Sequence, residues 1–164
     1  MLVMTVTVRL AQQDDVPTIY RMLRESAAAQ NGEEDLCVDP NSLREDGFGL
    51  APPRFQCLLA ELGRQPAGIA LYYFTYSTWT SRTVAYLEDL YVTPGFRRQG
   101  VARLLMAELA KIAIGAGCLQ VRWLVLRENA SATGFYESIG AKLSREWSSM
   151  RIERENLTRL AKRV

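Results

Sequence analysis

Hydrophobic and polar residues alternate along the first stretch of the chain, and the spacing becomes helical soon afterwards. Strict alternation over residues 2–10 predicts a strand. One face of it carries Met4, Val6, Val8 and Leu10, and the other carries threonines and Arg9. Asp14 and Asp15, followed by Pro17, then predict the start of a helix that extends to about Ala29. The apolar side of this helix carries Ile19, Tyr20, Met22 and Leu23.

The middle of the chain contains apolar runs that glycine, proline and polar residues separate. Runs of this length between turn residues are typical of strands. The runs over 55–62 and 67–76 are separated by Gly63-Arg64-Gln65-Pro66, which predicts a hairpin. The other elements predicted here are a polar loop at 30–34, a short helix from Asp39-Pro40 to Gly47, a polar connection at 77–82 and a strand at 84–92.

A helical repeat of apolar residues follows Gly100, and the segment Gly115 to Gly117 stops it. The repeat consists of Val101, Leu104, Leu105, Leu109, Ile112 and Ala113. A buried strand is predicted over 120–126, so the strand–helix–strand order predicts a parallel pair with a right-handed crossover. The remaining predicted elements are a helix at 130–139 ended by Gly140, one or two strands at 142–152 and a closing helix at 153–162. Together these elements predict an α+β fold with a mixed sheet.

The composition favours one globular domain over residues 1–164, with nearly half of the residues apolar. A net charge of +2 is too small to favour a nucleic-acid partner, and no signal segment or membrane-spanning stretch is visible. Three widely spaced cysteines, Cys37, Cys57 and Cys118, predict reduced thiols in a cytoplasmic protein, without a disulfide framework or a zinc site. The chain contains no histidine, which excludes metal–histidine chemistry and any Ser-His or Cys-His arrangement.

The segment between the strand at 84–92 and the following helix has the chemistry of an anion site. A helix start presents backbone N–H groups and the positive end of the helix dipole, and Gly100 lets a ligand approach closely. Arg97, Arg98 and Arg103 add positive charge. The alternative is an ordinary basic turn on a solvated face. Neither the dinucleotide fingerprint nor the nucleoside-triphosphate loop is present, so the segment predicts a phosphate site of another kind.

This segment resembles the acetyl-CoA pyrophosphate loop of the GNAT N-acetyltransferase superfamily, and the resemblance covers nearly the whole chain. It is carried by Arg97-x-x-Gly100-x-Ala102 and by Asn129, Phe135-Tyr136 and Gly140-Ala141 further on. Three upstream segments are similar to the diamine and thialysine acetyltransferase branch: Leu43 to Gly49 (LREDGFG), Tyr72 to Trp79 (YYFTYSTW) and Tyr86-Leu-Glu-Asp89.

The resemblance implies a GNAT-like fold, with a mixed and mostly antiparallel sheet, one parallel strand pair and flanking helices. It also implies direct transfer of an acetyl group from acetyl-CoA to a primary amine of a small molecule, such as a diamine, a polyamine or a thialysine-like amine. No metal is implied. Two other functions stay open, namely acetylation of a protein or peptide, and an inactive CoA-binding domain. The retention of both Glu88 and Tyr136 argues against the inactive domain.

The resemblance also implies where acetyl-CoA binds. The backbone of Leu90, Tyr91 and Val92 is expected to pair with the pantetheine amides as an added strand would. Asn129 is expected to contact the pantetheine arm, and as a residue before a helix it is also a preferred N-cap. The residues expected at the pyrophosphate are Arg97, Arg98, Gln99, Gly100, Val101, Ala102 and Arg103.

Two residues are candidates for proton transfer. Glu88 matches the substrate-side base of the branch, and the alternative is a carboxylate in a surface salt bridge. Alternation along the strand predicts that Glu88 and Asp89 point to opposite faces. Tyr136 matches the acid that protonates the departing thiolate, whereas helical spacing alone makes it a core residue, as it does Phe135 and Ile139.

The expected acceptor side includes Gln30, Ser77, Trp79, Glu88 and Trp123. Gln30 and Ser77 stand where branch members that prefer long polyamines carry acids, so the resemblance favours smaller, amino-acid-like amines. For Trp79 and Trp123, a core position and a pocket wall are equally compatible with the sequence. A homodimer is expected because the C-terminal segment carries apolar residues in a polar frame. Those residues are Trp147, Met150, Leu157 and Leu160.

Overall fold

The computed structural model describes residues 5–162 of the chain. The strands in this part are β1 (Val6–Leu10), β2 (Gln56–Leu62), β3 (Gln65–Ser77), β4 (Arg82–Val92) and β5 (Val121–Arg122). The α-helices are α1 (Val16–Ala29), α2 (Pro40–Arg44), α3 (Val101–Gly115), α4 (Ala130–Ser138) and α5 (Arg154–Ala161). Single turns of 3₁₀-helix lie at Gln13–Asp15, Glu33–Asp35 and Pro94–Phe96, and a π-helical turn lies at Glu45–Gly49.

These elements cluster into two compact units along the chain. The first unit ends at Leu124 and contains the five strands with α1, α2 and α3, and the second begins at Val125 and contains α4 and α5. None of the helices within residues 5–162 combines the length and the apolar character needed to cross a lipid bilayer.

The first unit is built on one sheet with the strand order β1-β2-β3-β4-β5. Each of the first four strands is antiparallel to its neighbour. β5 runs parallel to β4 and pairs with it through Val121 and Arg122, opposite Ala85 and Tyr86. The predicted α+β fold with a mixed, mostly antiparallel sheet and one parallel pair is therefore confirmed.

Helices cover both faces of this sheet, and β3 is the central strand. Residues 67–72 of β3 are buried without a break, as expected of a strand that is covered on both sides. On one face, α1 and α2 pack on alternate residues of β2 and β3, and α3 packs on the sheet as well. The core of the α1 and α2 side consists of Val16, Ile19, Met22, Leu23, Leu43, Cys57, Leu59, Ile69, Leu71 and Tyr91.

The predicted starts of α1 and α2 are confirmed by local chemistry. Pro17 lies in the first turn of α1, where its missing N–H costs nothing. At α2, the Asp39 carboxylate accepts hydrogen bonds from the N–H groups of Asn41 at 2.7 Å and Ser42 at 3.1 Å. These bonds satisfy two donors that the first turn of a helix otherwise leaves without partners.

The apolar stripe of α3 differs in part from the prediction. Val101, Leu105, Leu109 and Ala113 are buried as expected, but Leu104 is 42% exposed. Met106 is buried in its place. Because successive residues are rotated by about 100°, Met106 lies closer to the centre of this stripe than Leu104 does.

Three further predictions about strands are wrong. Leu10 is 51% exposed, although alternation placed it on the apolar face of β1, and Met4 lies outside the described residues. The strand expected over 120–126 contains only the two residues of β5, and Leu124 is 71% exposed. Residues 142–152 form no strand, since their apolar residues lack a period of two and no strand among residues 5–162 pairs with them.

The second unit has helices where the sequence predicted them. Asn129 caps α4, because its side-chain oxygen accepts a hydrogen bond from the Ala132 N–H at 3.0 Å. Gly140, with φ of 92°, follows the end of the same helix. The four apolar residues of the C-terminal segment that were expected at an interface are exposed, namely Trp147, Met150, Leu157 and Leu160.

Candidate active site

The predicted strand–turn–helix arrangement around Gly100 is present. β4 ends at Val92, the 3₁₀ turn Pro94–Phe96 follows, and α3 begins at Val101. The first hydrogen bond of α3 runs from the Leu104 N–H to the Gly100 carbonyl oxygen, at 3.0 Å. The N–H groups that precede it belong to the N-terminal turn of a helix, which favours a bound anion.

The backbone at this turn adopts two left-handed conformations. Gly100 has φ of 81°, and a Cβ added there would meet no other atom within 4 Å, so its surface is open to a ligand. Arg98 has φ of 61°, which a residue with a side chain rarely adopts. An exposed arginine therefore occupies a strained backbone position in this turn.

Side chains within the turn stabilise its shape. The Arg97 Nε donates a hydrogen bond to the Val92 carbonyl oxygen at 3.0 Å, and its guanidinium lies 5.9 Å from the centre of the Tyr91 ring. The Gln99 amide donates to the Gly95 carbonyl oxygen at 3.0 Å. The side chain of Tyr91 is buried and packs in the hydrophobic core, whereas its backbone belongs to the edge of β4.

One edge of β4 is open where the cofactor backbone contacts were expected. β5 pairs with β4 only at Ala85 and Tyr86. Beyond Tyr86, no strand within residues 5–162 pairs with this edge, so Leu90, Tyr91 and Val92 can accept an added strand there. The open edge leads directly to the turn that carries Gly100.

A β-bulge in β4 places both carboxylates on the same face of the sheet, and the prediction of opposite faces is wrong. Asp89 pairs with Leu71, whereas Leu87 pairs with the next residue of β3, so Glu88 is the extra residue. Tyr86 and Glu88 share one side by alternation, and Tyr86 faces Tyr73 across the strands. Leu71 and Tyr73 share one face of β3, and Asp89 lies opposite Leu71. Glu88 is on the same side as Tyr86, so both carboxylates lie on this face of the sheet.

Asp89 lines a pocket of about 260 Å³ beside the C-terminal half of α1. Desolvation by burial, together with the charge of neighbouring Glu88, raises the pKa of Asp89 from 3.8 to about 6. The sequence analysis favoured Glu88 over Asp89 because Glu88 matches the base of the branch, and a bulge leaves no signal in the alternation of residues. The lining residues are Leu23, Ser26, Ala27, Gln30, Gly32, Asp35, Leu36 and Asp89.

Glu88 is exposed and does not line this pocket. It makes no ion pair with any residue of the described part of the chain, so the salt bridge of the alternative interpretation is not found. Its neighbours are Tyr73 and Tyr86, whose rings stack with centroids 5.2 Å apart. Burial, and then the Glu88 charge, raise the pKa of both phenols.

The other residues expected on the acceptor side are separated. Gln30 lines the pocket, and its amide donates to the Ser26 carbonyl oxygen at 3.2 Å and to the Ser26 hydroxyl at 3.3 Å. Ser77 is buried at the end of β3 and lies outside the pocket lining, and its hydroxyl has no hydrogen-bond partner among residues 5–162. Trp79 is 85% exposed, so the core interpretation is wrong there, and Trp123 is half-buried.

Tyr136 lies in α4, in the second unit, next to Phe135 in sequence and in space. The two ring centroids are 5.3 Å apart. Burial raises the pKa of the Tyr136 phenol above its ordinary value of 10.0, so the hydroxyl keeps its proton throughout the neutral range. Such a group can donate a proton but does not act as a base near neutral pH. The described residues contain no cluster of three or more His, Cys, Asp or Glu that could hold a metal ion.

Comparison with known proteins identifies the class. The sequence model of the acetyltransferase (GNAT) family matches residues 17–141. The chain belongs to this family and is an N-acetyltransferase. Members of the family use acetyl-CoA as co-substrate.

Individual relatives match the branch that the sequence motifs indicated. The thialysine N-epsilon-acetyltransferase of Sus scrofa is 39% identical over 168 residues, which is 96% of this chain and 98% of that protein. The spermidine/spermine N(1)-acetyltransferase-like protein 1 of Homo sapiens is 37% identical over 94% of this chain and 23% of its own length. A solved integron cassette protein from the mobile metagenome of V. cholerae has a TM-score of 0.79 at 26% identity, covering 97% of this chain and 99% of its own.

The raised pKa of Asp89 predicts how the free energy of unfolding depends on pH. The folded protein holds this proton up to about pH 6, whereas the unfolded chain releases it near 3.8. Between these values the native state binds more protons, so this group lowers stability as the pH rises, and the penalty is complete above about pH 6. Asp89→Asn is therefore expected to raise the free energy of unfolding at neutral pH by on the order of 2 kcal/mol.

Denaturant titrations at neutral pH and below the ordinary aspartate pKa measure this effect. The gain is expected to disappear at the lower pH, because Asp89 is then protonated in both states. Glu88→Gln is the matched control, since it removes the adjacent but exposed carboxylate and is expected to change stability less. Equal effects of the two substitutions at neutral pH would contradict a buried, destabilising charge at Asp89.

Proposed function

We propose that this enzyme transfers the acetyl group of acetyl-CoA directly to a primary amine of a small molecule. The observation that carries the proposal is that β4 supports both halves of such a site. At Asp89 it borders an acid-lined pocket, and from Leu90 to Val92 it has an open edge that leads to the turn at Gly100. The thialysine and spermidine/spermine names of the relatives support a small amine as the acceptor.

The residues of the open edge and the turn fit acetyl-CoA. Backbone groups of Leu90, Tyr91 and Val92 are proposed to pair with the pantetheine amides. The N-terminal turn of α3 and the basic side chains of the turn are proposed to hold the pyrophosphate. These turn residues are Arg97, Arg98, Gln99, Gly100, Val101, Ala102 and Arg103, and Asn129 is proposed to contact the pantetheine arm as well as capping α4.

The acceptor amine arrives protonated at neutral pH and has to lose a proton before it attacks. We place the ammonium group at the pair formed by Glu88 and Asp89, where negative charge attracts it. A carboxylate of this pair, Glu88 in the first place, accepts the proton directly or through water. The nitrogen then forms a bond to the acetyl carbon as the carbon–sulfur bond breaks, and Tyr136 supplies a proton to the departing thiolate.

The proposal also covers the domain organisation, the cellular location and the oligomeric state of the enzyme. The whole chain is proposed to work as one acetyltransferase domain, which is supported by a family match that extends from the first unit into the second. A cytoplasmic location is supported by three cysteines that are all free. A homodimer is supported by the exposed apolar residues of the C-terminal segment.

An assay of thiol release from acetyl-CoA tests the proposed function. We expect release that depends on an added primary amine when diamines, lysine analogues and peptides are compared. If only peptides are acetylated, the acceptor is a protein or peptide and the proposed small-molecule acceptor is wrong. Absence of any amine-dependent release, together with absence of acetyl-CoA binding by calorimetry, would contradict the proposed function.

A further inference from the structure

Three polar side chains from different elements interact beside the turn that carries Gly100. Glu25 belongs to α1, Tyr91 belongs to β4, and Arg97 directly follows the 3₁₀ turn Pro94–Phe96. The Tyr91 ring is buried in the core that α1 covers, and the Arg97 guanidinium lies 5.9 Å from the centre of this ring. Tyr91 is therefore placed to connect α1 with the turn.

The Glu25 carboxylate has one oxygen at the surface of α1 and one inside the protein. Its Oε1 accepts a hydrogen bond from the Arg21 guanidinium at 2.6 Å on the exposed side of the helix. Its Oε2 is buried and has no hydrogen-bond partner within residues 5–162. A buried carboxylate oxygen without a donor costs free energy, so a hydroxyl group nearby would stabilise it.

The hydroxyl of Tyr91 is influenced by both charged neighbours. Burial is the largest cause that raises the pKa of this phenol, and the Glu25 carboxylate is the next. The positive charge of Arg97 lowers the same pKa. A phenol hydroxyl can donate one hydrogen bond and accept another, so it can join a carboxylate to a guanidinium.

The Arg97 side chain folds back onto the end of β4, although it is exposed to solvent. Its Nε donates a hydrogen bond to the Val92 carbonyl oxygen at 3.0 Å. Holding a long, exposed side chain in one conformation costs much entropy, so contacts that fix it have to be strong or several. A hydroxyl that Glu25 orients towards the guanidinium would add such a contact.

We propose that Glu25 is a positioning residue for acetyl-CoA binding, which accepts a hydrogen bond from the Tyr91 hydroxyl and thereby helps to fix Arg97 at the turn. A fixed Arg97 holds the start of α3 in the arrangement that receives the pyrophosphate. Glu25 itself does not touch the cofactor in this arrangement. The inference rests on the proposed function, because it assumes that the pyrophosphate binds at this turn.

This role has a distinct kinetic signature. Loss of the acceptor oxygen should weaken binding of acetyl-CoA and raise its KM, whereas kcat at saturating acetyl-CoA should stay nearly unchanged. A residue that only stabilised α1 would lower the melting temperature of the enzyme without this selective change in KM.

Three substitutions in the full-length enzyme test the role. Glu25→Met removes the carboxylate but keeps the length of the side chain and a high helix propensity, and we expect it to weaken acetyl-CoA binding roughly fivefold by isothermal calorimetry. Tyr91→Phe keeps the ring beside Arg97 and removes the hydroxyl, so it should lose as much. Glu25→Gln keeps an oxygen that accepts from Tyr91, and its affinity should stay within about twofold of the original.

Arg21→Gln is the matched control, because it breaks the same exposed ion pair and leaves the buried oxygen of Glu25 in place. This variant should bind acetyl-CoA like the unsubstituted enzyme. A second comparison uses Arg97→Ala as the background, where Glu25→Met should cost no further affinity, because the side chain that it positions is gone.

The results separate failure of this role from failure of the proposed function. The role of Glu25 is overturned, and the proposed function stands, if the unsubstituted enzyme binds acetyl-CoA and Glu25→Met or Tyr91→Phe binds it equally well. It is overturned likewise if Arg21→Gln loses as much affinity, or if the effect of Glu25→Met persists in the Arg97→Ala background. If Glu25→Met does not fold, Tyr91→Phe tests the same hydrogen bond by itself. If the unsubstituted enzyme does not bind acetyl-CoA, the proposed function fails and the role of Glu25 fails with it.

Discussion

Replacement of Gly100 by valine is expected to abolish measurable binding of acetyl-CoA while the protein stays folded. Gly100 has φ of 81° and lies directly before α3, where the proposed pyrophosphate site needs close approach to the backbone. A β-branched side chain would occupy the open space above this residue and strain its left-handed backbone. Isothermal calorimetry at millimolar acetyl-CoA measures the loss, and a thermal melt reports on folding.

A second glycine provides a control for the backbone strain that valine introduces at a left-handed position. Gly117 follows the C-terminal end of the same helix, has φ of 73°, and likewise has no atom within 4 Å of an added Cβ. Gly117→Val should therefore lower the melting temperature by a similar amount and keep acetyl-CoA affinity within a few-fold of the original. If Gly100→Val still binds acetyl-CoA as tightly as Gly117→Val does, the pyrophosphate site has been assigned to the wrong turn.

The parts of the fold that local chemistry determines were predictable from the sequence. Residues within a few positions of one another determine each of these features. They are the helix starts at Pro17 and at Asp39-Pro40, the helix end before Gly117 and the hairpin around Gly63. The strand–turn–helix arrangement at Gly100 belongs to this group. In each case the signal and the structure lie in the same short segment, so no knowledge of distant contacts was needed.

The register and the extent of pairing between distant segments were not predictable. The bulge at Glu88 exists only relative to β3, and it reverses the expected relation between two adjacent carboxylates. Apolar content suggested a longer strand after α3, but β5 pairs with β4 over two residues only, and Leu124 and Leu126 are exposed. Apolar residues indicate burial or an interface, whereas a strand needs a partner with the right register.

The pocket beside Asp89 shows the same limit. Asp35 and Asp89 lie more than fifty positions apart, as their residue numbers show, and only the packing of α1 on the sheet brings both into one lining. The resemblance to known acetyltransferases directed attention to Gln30 and Ser77. Of these two, only Gln30 lines the pocket. The resemblance therefore led to one residue of the pocket lining, and the two acids beside it are visible only in the structure.

The role proposed for Tyr136 predicts a large loss of turnover with little loss of cofactor binding. Tyr136→Phe is expected to lower kcat on the order of 10²-fold under conditions in which chemistry limits turnover, the usual scale for a positioned general acid. Burial keeps the phenol protonated at neutral pH, so the proton is available when the thiolate departs. The affinity for acetyl-CoA should change little, because the aromatic ring and its contact with Phe135 are retained.

Tyr72→Phe is the matched control, because it removes the same hydroxyl from a fully buried core residue. The Tyr72 hydroxyl has no hydrogen-bond partner in the described part of the chain, and burial raises its pKa to about 12. Its loss should leave kcat unchanged, since it belongs to no proposed step. Equal kcat values for Tyr136→Phe and the original enzyme, measured where chemistry is limiting, would make Tyr136 a packing residue like its neighbour Phe135. The proton for the departing thiolate would then have to come from water or another acidic side chain, because the chain contains no histidine.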